Sequence, residues 1–338
     1  MTTAVLPLET YFRSVRAVDA AGATGFILEM FDEGTPVQSI ISEVLAPSQV
    51  RVGELWQQGE WSVADEHAAT AVTEAALLAL GHAARPRGVA LQERHILVAC
   101  AEGEWHALPA RMAAVVAAGP RTRVTMLGPS LPADQLARRL SGGDVDLLAL
   151  SCTMPTNLLG AARCIAAAHD YDVPVLVGGR AFGDSPLRAH AIGADSWSND
   201  PMALLGPMPA RTGPAVETPH EVLMLDAVDG AVVALAYERM VATFPRLATM
   251  TPAQRARTLE DFGWMARYTA AALLTGDDVI VDELLLWLYS LLAGRVPVEV
   301  ITTSALLLAD AVEPEAPRGA ELLRHAAGPV ASLRQASA

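Results

Sequence analysis

The stretch HILVACAE, residues 95–102, decides the fold class, because it is a short apolar run that is bounded by polar residues and lacks helical spacing. Three runs of the same kind follow it, namely RVTMLGPS at 123–130, DLLALSCT at 146–153 and VPVLVGG at 173–179. Amphipathic stretches separate them at 107–119, 132–142 and 158–170. This alternation predicts a doubly wound parallel sheet with helices on both of its faces.

The segments on both sides of this sheet are predicted to be helical. Residues 7–84 and 222–313 repeat apolar side chains at spacings of three and four, without strand alternation. Stretches with Pro and Gly, at 82–94 and 199–219, separate them from the sheet and predict linkers. We therefore predict three domains: a helical bundle at 1–88, a Rossmann-like domain at 89–205 and an all-α domain at 206–338.

Composition narrows the class of protein. The chain carries 24 Lys and Arg against 38 Asp and Glu, a net charge of −14, and no basic block of the kind that phosphate contacts require. No apolar run reaches the ~20 residues that span a bilayer, and no signal peptide pattern opens the chain. The three cysteines lack metal-site spacing. We expect a cytoplasmic protein that binds neither nucleic acid nor membrane directly.

The carboxyl ends of the predicted strands carry the candidate site, because ligands of doubly wound sheets bind there. After the first strand comes EWHALP, in which Glu104 precedes His106 by two residues. A neutral imidazole can bind a metal while a carboxylate holds its other nitrogen. The two-residue spacing is common by chance, so an exposed loop histidine is the alternative. Small polar and glycine residues end two further strands: Ser151, Thr153, Gly178 and Gly179.

Residues 90–200 resemble the cobalamin-binding fold of methionine synthase and the methylmalonyl mutases. The family motifs Asp-x-His-x-x-Gly, Ser-x-Leu and Gly-Gly correspond here to Glu104, His106 and Pro109, to Ser151 and Thr153, and to Gly178 and Gly179. The resemblance implies that His106 is the lower axial ligand of cobalt and that Glu104 is its partner. It also implies that Ser151 contacts the displaced base of the cofactor. Pro109 replaces the family Gly and stiffens the turn.

The helical stretch VGELWQQGEWSVADEHAAT, residues 52–70, contains Trp56 followed by Glu66 and His67. A buried Trp and a surface Glu-His pair would be the structural alternative. The stretch resembles the cap of cobalamin-dependent photoreceptors that repress carotenoid genes. That resemblance implies that Trp56 covers an adenosyl group and that Glu66 and His67 bond to it. Gln57 stands where those photoreceptors have the histidine that captures cobalt after photolysis.

Residues 258–283, TLEDFGWMARYTAAALLTGDDVIVDE, are the most informative part of the last segment. On a helix, one face would be shared by Thr258, Asp261, Trp264, Met265 and Tyr268. A carboxylate on an aromatic, apolar stripe is costly unless donors pair with it. The alternative is that Asp261 is a charge favoured by the helix dipole near the N-terminus.

This stretch resembles the bilin-binding helix of phycobiliproteins, and the similarity covers roughly residues 240–312. It implies that the Asp261 carboxylate accepts the pyrrole N–H groups of a bilin and that Trp264, Arg267 and Tyr268 take the aromatic and Arg-Tyr positions. Thr258 occupies the position of the thioether Cys, so biliverdin would be bound non-covalently. The resemblance also aligns Gly276 and Asp277 with the family's Gly-Asp, and Asp282 and Glu283 with its acidic pair. The implied fold of this domain is globin-like.

A cobalamin cap combined with a bilin-binding helix resembles the photocobilins. The resemblance implies a non-enzymatic light sensor that uses adenosylcobalamin photolysis, with biliverdin as second chromophore. We expect a homo-oligomer, such as a dimer, and an unidentified output protein as partners. The alternatives are a corrinoid methyl carrier, an adenosylcobalamin radical enzyme and a cofactor-free helical adaptor. The cap disfavours the carrier, and the lack of a barrel-sized substrate domain disfavours the radical enzyme.

Overall fold

Helices and parallel strands make up the computed structural model, which describes residues 6–85, 93–292 and 296–336. The described residues form two units, and each is considered by itself. The first comprises segments of 1–151, 167–179 and 197–211, and the second comprises 152–166, 180–196 and the chain from 212 onward. Residues 86–92 of the predicted linker lie outside the described residues.

The first helices are confirmed as a helical region, with bounds that differ from the sequence pattern. They are α1 (Pro7–Arg16), α2 (Ala20–Asp32), α3 (Val37–Ile40), α4 (Ala46–Gln57) and α5 (Val63–Ala83). The apolar run 12–31 is split because Val18 adopts a left-handed φ of 54° and Asp19 caps α2 by accepting from the Gly22 N–H. A wide π-helical turn, Ile41–Leu45, joins α3 to α4 directly before Pro47, which has no N–H to donate.

The bundle buries one apolar core. Its fully buried members include Tyr11, Ile27, Leu45, Leu77 and Leu80. The same cluster takes in Met112 and Val116 from the first helix of the sheet region, within the same unit. The bundle and this helix are therefore packed as one body by burial of apolar surface.

The predicted parallel sheet is confirmed. Its strands are β1 (Arg94–Cys100), β2 (Thr122–Met126), β3 (Leu147–Ser151), β4 (Val175–Gly178) and β5 (Ser196–Trp197), in the order β2-β1-β3-β4-β5. The intervening helices are α6 (Leu108–Ala117), α7 (Ala133–Leu140), α8 (Leu158–His169) and α9 (Leu187–Ala191). The run 123–130 stops being a strand at Met126, because Gly128 and Ser130 have positive φ values of 91° and 49°. The two-residue β5 has no apolar run and was not predicted.

Strand order places the crevice of this sheet. The strand β1 pairs in parallel with β2 on one side and with β3 on the other. The chain therefore leaves β1 and β3 toward opposite sides, which opens a crevice at their carboxyl ends. Cys100 at the end of β1 lies opposite Ser151 at the end of β3. The loop that carries His106 begins at this point.

The last segment is all helical, as predicted, while its globin-like arrangement stays a prediction. Its helices are α10 (His220–Asp226), α11 (Gly230–Thr243), α12 (Pro252–Thr275), α13 (Val279–Leu292), α14 (Val298–Val312) and α15 (Pro317–Ala336). The apolar run 222–244 is two helices because Asp229 caps α11 by accepting from the Ala231 N–H. In the described part of the chain, no helix is long and apolar enough to cross a membrane.

Candidate functional site

The Glu104 carboxylate and the His106 imidazole form a fixed pair at the end of β1. Glu104 is completely buried, and its Oε1 accepts from the His106 backbone N–H at 2.8 Å and from the His106 Nδ1–H at 2.6 Å. The His106 side chain itself is 56% exposed. One carboxylate oxygen thus sets both the backbone turn and the ring orientation.

This pairing decides which ring nitrogen of His106 can bind a metal. Because Nδ1 donates to Glu104, the neutral ring carries its lone pair on Nε2. The hydrogen bond to Glu104 is the main reason that the pKa of His106 is raised; burial opposes it, and the charges of Glu104 and Glu66 add to it. The carboxylate makes Nε2 more electron-rich, which strengthens it as a ligand.

The loop before His106 is supported from the neighbouring strand end. Ser130 donates its backbone N–H to the Glu104 carbonyl at 2.8 Å, and its hydroxyl accepts from the Gly103 N–H at 3.2 Å. Ser130 makes both hydrogen bonds while its backbone is in the left-handed conformation, at φ 49°. Ser130 was not among the predicted site residues, although its position just after an apolar run, at the same sheet edge, was an available signal.

A second residue not identified as a site residue is Trp105. Its indole is 73% exposed, directly beside His106. A large apolar surface left open next to an imidazole with a free Nε2 lone pair is typical of a site that an apolar group covers. The signal was present in the sequence, since Trp105 lies within the same EWHALP motif.

The other residues predicted to contact the cofactor lie at or just after the ends of β3 and β4. Ser151 and Gly178 are opposite each other in the β3–β4 ladder, and the Gly179 N–H donates to Asn199 Oδ1 at 3.3 Å. Gly178 has no room for a side chain, because an added Cβ would lie 2.6 Å from the Ser198 carbonyl oxygen. Thr153 is partly buried in the second unit.

Three residues of the predicted cap lie in the bundle of the same unit as His106. Trp56 is 37% exposed near the end of α4. Glu66, in the first turn of α5, has Oε2 2.5 Å from the His67 Nδ1, and it is close enough to His106 to raise that residue's pKa. The structure thus brings Glu66 into electrostatic range of His106.

These residues fit a corrin. A single imidazole suffices for a metal whose other positions are filled by a macrocycle. The lone pair on Nε2 of His106 is available for this bond. Exposed indoles, Trp56 and Trp105, offer apolar surface to a large planar group, and the bare backbone at Gly178 and Gly179 allows close approach. When bound, the cobalt would take the Nε2 lone pair, and Glu104 would hold the ring.

The predicted bilin residues on α12 lie in the second unit. Asp261 and Trp264 are exposed, Tyr268 is partly buried, and the Arg267 guanidinium lies over the Trp264 ring at 4.9 Å. Loss of hydration raises the pKa of Asp261, and the charge of Glu260 adds to this. Burial raises the pKa of Tyr268 to about 12. An acceptor carboxyl and an aromatic stripe therefore share one side of the helix.

One residue of the expected shared face, Met265, is buried, while Thr258 is partly exposed. Met265 is 4% exposed, so it belongs to the helical core and leaves the stripe less apolar than predicted. The Thr258 hydroxyl donates to the Gln254 carbonyl one turn earlier at 3.0 Å, which is a common use of a helical threonine. The candidate residues that remain accessible on α12 are Thr258, Asp261, Trp264, Arg267 and Tyr268.

The Gly-Asp and acidic positions of the bilin resemblance have a structural role here. Gly276 ends α12 in the left-handed conformation, at φ 65°. Asp277 accepts from Nε of the buried Arg188 at 2.7 Å, and Glu283 accepts from the same guanidinium at 3.4 Å. Arg188 also donates to the Ala181 carbonyl at 3.2 Å. The guanidinium therefore ties the loop after β4 to the α12–α13 corner.

The stripe on α12 fits a planar group that carries N–H donors. The Asp261 carboxylate is the acceptor that such donors require, and Trp264 and Tyr268 present aromatic surface. Covalent attachment through cysteine is not available here, because the chain's three cysteines, Cys100, Cys152 and Cys164, are buried in the region 94–205.

Comparison with known proteins finds family similarity in two regions of the chain. Residues 7–80 and residues 94–205 each match a family model described as a B12 binding domain. The HTH-type transcriptional repressor CarH of Myxococcus xanthus is 34% identical over 146 residues, which are 42% of this chain and 48% of that relative. The match thus spans about half of the relative's length.

Two solved structures have similar chains. The monomethylamine corrinoid protein of Methanosarcina barkeri is 18% identical with a TM-score of 0.49, covering 59% of this chain and 94% of its own. A cobalamin-binding protein from Desulfitobacterium hafniense is 19% identical with a TM-score of 0.32, covering 60% and 97%. The helical bundle and the parallel sheet coincide with the two matched B12-binding domains, so the site at His106 belongs to a cobalamin-binding region.

Proposed function

We propose that this chain is a light sensor that binds adenosylcobalamin, with His106 as the lower axial ligand of cobalt. The observation that carries the proposal is the buried Glu104 carboxylate on Nδ1 of His106, which leaves Nε2 free within the matched B12-binding region. When bound, the cofactor supplies a cobalt–carbon bond that light can break. The role of Glu104 is to hold the imidazole in one tautomer and one orientation.

The cap residues favour an adenosyl group on the upper face. Trp56 offers an apolar surface, while Glu66 and His67 offer polar groups that a nucleoside can bond and a methyl group cannot. The similarity to CarH over 146 residues supports a photoreceptor-like role, since the resemblance of the cap motif points to the same class. We expect release of the upper-face group to change the contacts of Trp56 and Glu66.

Biliverdin is the proposed second chromophore, bound without a covalent link on α12. Support comes from the Asp261 carboxyl, which would accept the pyrrole N–H groups, and from the aromatic side chains Trp264 and Tyr268. Arg267, which stacks on Trp264, would present its charge to a propionate. Thr258 has no thiol and forms no thioether.

The proposed output is non-enzymatic. We propose a homodimer whose assembly or contact with an output protein changes on illumination, in the cytoplasm and without direct nucleic-acid or membrane binding. The net charge of −14 supports the absence of DNA contacts.

A corrinoid methyl carrier is the second candidate function, and it has the same lower-face requirements. The two candidates differ at the upper face: a carrier leaves it open to a methyl donor, whereas the sensor covers it. A cofactor-free helical adaptor would bind neither pigment.

Reconstitution of the purified full chain tests the proposal. Adenosylcobalamin added in the dark is expected to give a spectrum with a histidine-ligated cobalt, and light is expected to convert it within the protein. Added biliverdin is expected to give a separate red-absorbing band. A protein that binds methylcobalamin as tightly as adenosylcobalamin and keeps its assembly after illumination is a carrier, and one that takes up neither pigment is an adaptor.

A further inference from the structure

A line of hydrogen bonds crosses the helical bundle and ends on Glu66. The Tyr11 hydroxyl lies 3.1 Å from Thr73 Oγ1, and the Gln49 carboxamide nitrogen lies 2.7 Å from the same atom. Thr70 Oγ1 lies 3.1 Å from the Gln49 carboxamide oxygen and 2.9 Å from Glu66 Oε1. The line thus joins α1, α4 and α5.

The line is built into the core of the bundle. Tyr11 and Thr73 are completely buried, and burial raises the pKa of Tyr11 to about 12, so its phenol remains a donor. Thr73, Thr70 and Glu66 are three and four residues apart on α5 and therefore share one face of that helix. A polar line in an apolar core is stable only when each of its groups has a partner.

The number of available protons indicates which group donates in each hydrogen bond of this line. Thr70 has one hydroxyl proton, yet it contacts two oxygens, on Gln49 and on Glu66. The oxygen and nitrogen of a carboxamide occupy interchangeable positions, so the Gln49 amide can be turned about its last torsion. Turned, its nitrogen donates to Thr70 and its oxygen accepts from Thr73.

In that orientation every contact has its own proton. Tyr11 donates to Thr73, Thr73 to Gln49, Gln49 to Thr70, and Thr70 to the Glu66 carboxylate. Donors aligned in one direction polarise each other and strengthen the last bond of the line. In this arrangement Glu66 Oε1 is held as the hydrogen-bond acceptor at the end of the line. Its Oε2 lies beside His67, and its side chain remains 29% exposed.

We propose that Gln49 and Thr70 are positioning residues that hold Glu66 as a hydrogen-bond acceptor in the cobalamin site. Through Glu66, these two residues favour binding of a cobalamin whose upper-face group carries hydroxyl or amino donors over one whose upper-face group is methyl. The inference deepens the proposed function and rests on it. Carboxylate oxygens held as acceptors are satisfied by the hydroxyl groups of a nucleoside, whereas a methyl group offers them no donor.

Affinities measured in the dark for adenosylcobalamin and for methylcobalamin test this inference. Wild type is expected to bind the adenosyl form more tightly. Thr70→Val keeps the shape of the side chain and removes its proton, and we expect it to lower affinity for adenosylcobalamin about ten-fold, the effect of losing a hydrogen bond to a charged group. Affinity for methylcobalamin should stay unchanged, which also shows that the variant is folded.

Two control variants separate positioning from packing. Thr70→Ser keeps the hydroxyl and should restore the wild-type preference. Thr24→Val makes the same change on α2, at a partly buried threonine outside this line, and should leave both affinities unchanged. Gln49→Leu interrupts the line one step earlier and should reproduce the loss seen with Thr70→Val.

The outcomes distinguish this inference from the function on which it rests. If wild type prefers adenosylcobalamin and Thr70→Val keeps that preference, Thr70 does not position Glu66, while the proposed sensor stands. Equal loss of both cobalamins in Thr70→Val would show a role in packing alone and overturn the inference. If wild type itself shows no preference, the upper-face assignment fails, and this inference fails with it.

Discussion

His106 shows how one buried neighbour can fix the tautomer and orientation of a loop histidine. The residue is more than half exposed, as many loop histidines are, but a carboxylate without solvent contact holds its Nδ1 and its backbone N–H. A buried carboxylate needs such partners, because an unpaired buried charge is strongly unfavourable. The same hydrogen bonds that satisfy Glu104 therefore leave the lone pair on Nε2 of His106 available to a metal.

Removing either member of this pair should change cobalt ligation. His106→Ala is expected to abolish the histidine-ligated cobalamin spectrum and weaken binding. Glu104→Gln preserves the shape but weakens the hold on Nδ1, and loss of such a partner typically costs 10- to 100-fold in metal affinity. Titration by absorbance measures both effects. An unchanged spectrum and affinity in His106→Ala would remove His106 from the site.

Gly178 is predicted to tolerate no side chain. In Gly178→Ala the new Cβ would meet the Ser198 carbonyl oxygen, which is backbone and cannot rotate away, so the free energy of unfolding should fall by about 1–3 kcal/mol. Gly119→Ala is the matched control, because its Cβ would meet nothing within 4 Å. Urea denaturation of both variants checks this, and equal stability would contradict the close approach at Gly178.

At the scale of elements, the α12–α13 corner depends on a side chain from another part of the second unit. The buried Arg188 of α9 contacts Asp277 and Glu283 at this corner and the Ala181 carbonyl after β4. A guanidinium can do this because its five N–H groups point in several directions at once. The corner and the loop after β4 are therefore mechanically linked.

Arg188→Ala should be strongly destabilising, because it leaves the Asp277 carboxylate without its cation; breaking a buried pair in this way costs about 3 kcal/mol. Arg188→Lys keeps the positive charge but lacks the planar guanidinium with its several N–H donors. Its stability should lie between those of the alanine variant and wild type. Arg324→Ala, which removes an exposed partner of Glu313 and Asp310, is the control and should have a much smaller effect. Thermal unfolding ranks the three variants; a similar loss at 188 and 324 would argue against the link.

The helix α12 carries the prediction for the second chromophore. Asp261→Ala removes the proposed acceptor of the pyrrole N–H groups, which should weaken biliverdin binding about ten-fold or shift its red band. Cobalamin binding at His106 should be unaffected. Denaturation should release the pigment, because Thr258 cannot form a thioether. Wild-type affinity and spectrum in Asp261→Ala would instead leave this helix as an interaction surface.

At the scale of the whole molecule, the proposed signal is a change of assembly. Size-exclusion chromatography with light scattering, run on the adenosylcobalamin-loaded full chain in the dark and after illumination, should give two different masses or elution volumes. Protein loaded with methylcobalamin, whose upper-face group cannot bond Glu66, should not show the same dark state. Identical profiles before and after complete photolysis would exclude assembly as the output of this chain.

Local sequence determined much of this protein. Short apolar runs between amphipathic helices predicted the parallel sheet, because a strand covered on both faces must be apolar throughout. The position of EWHALP after the first run placed His106 at the ligand edge, and the spacing along residues 252–275 predicted α12. These features depend on residues that are close in the chain, so their pattern is visible without coordinates.

Contacts between residues of different elements were visible only in the folded chain. The strand order opens the crevice between β1 and β3, and burial of Glu104 gives the His106 pair its strength. Folding also brings Gln49 to Thr70 and Arg188 to Asp277, and it turns Met265 into the core. Such contacts arise where distant segments pack, because burial and hydrogen bonding depend on neighbours in space, which periodicity along one segment does not specify.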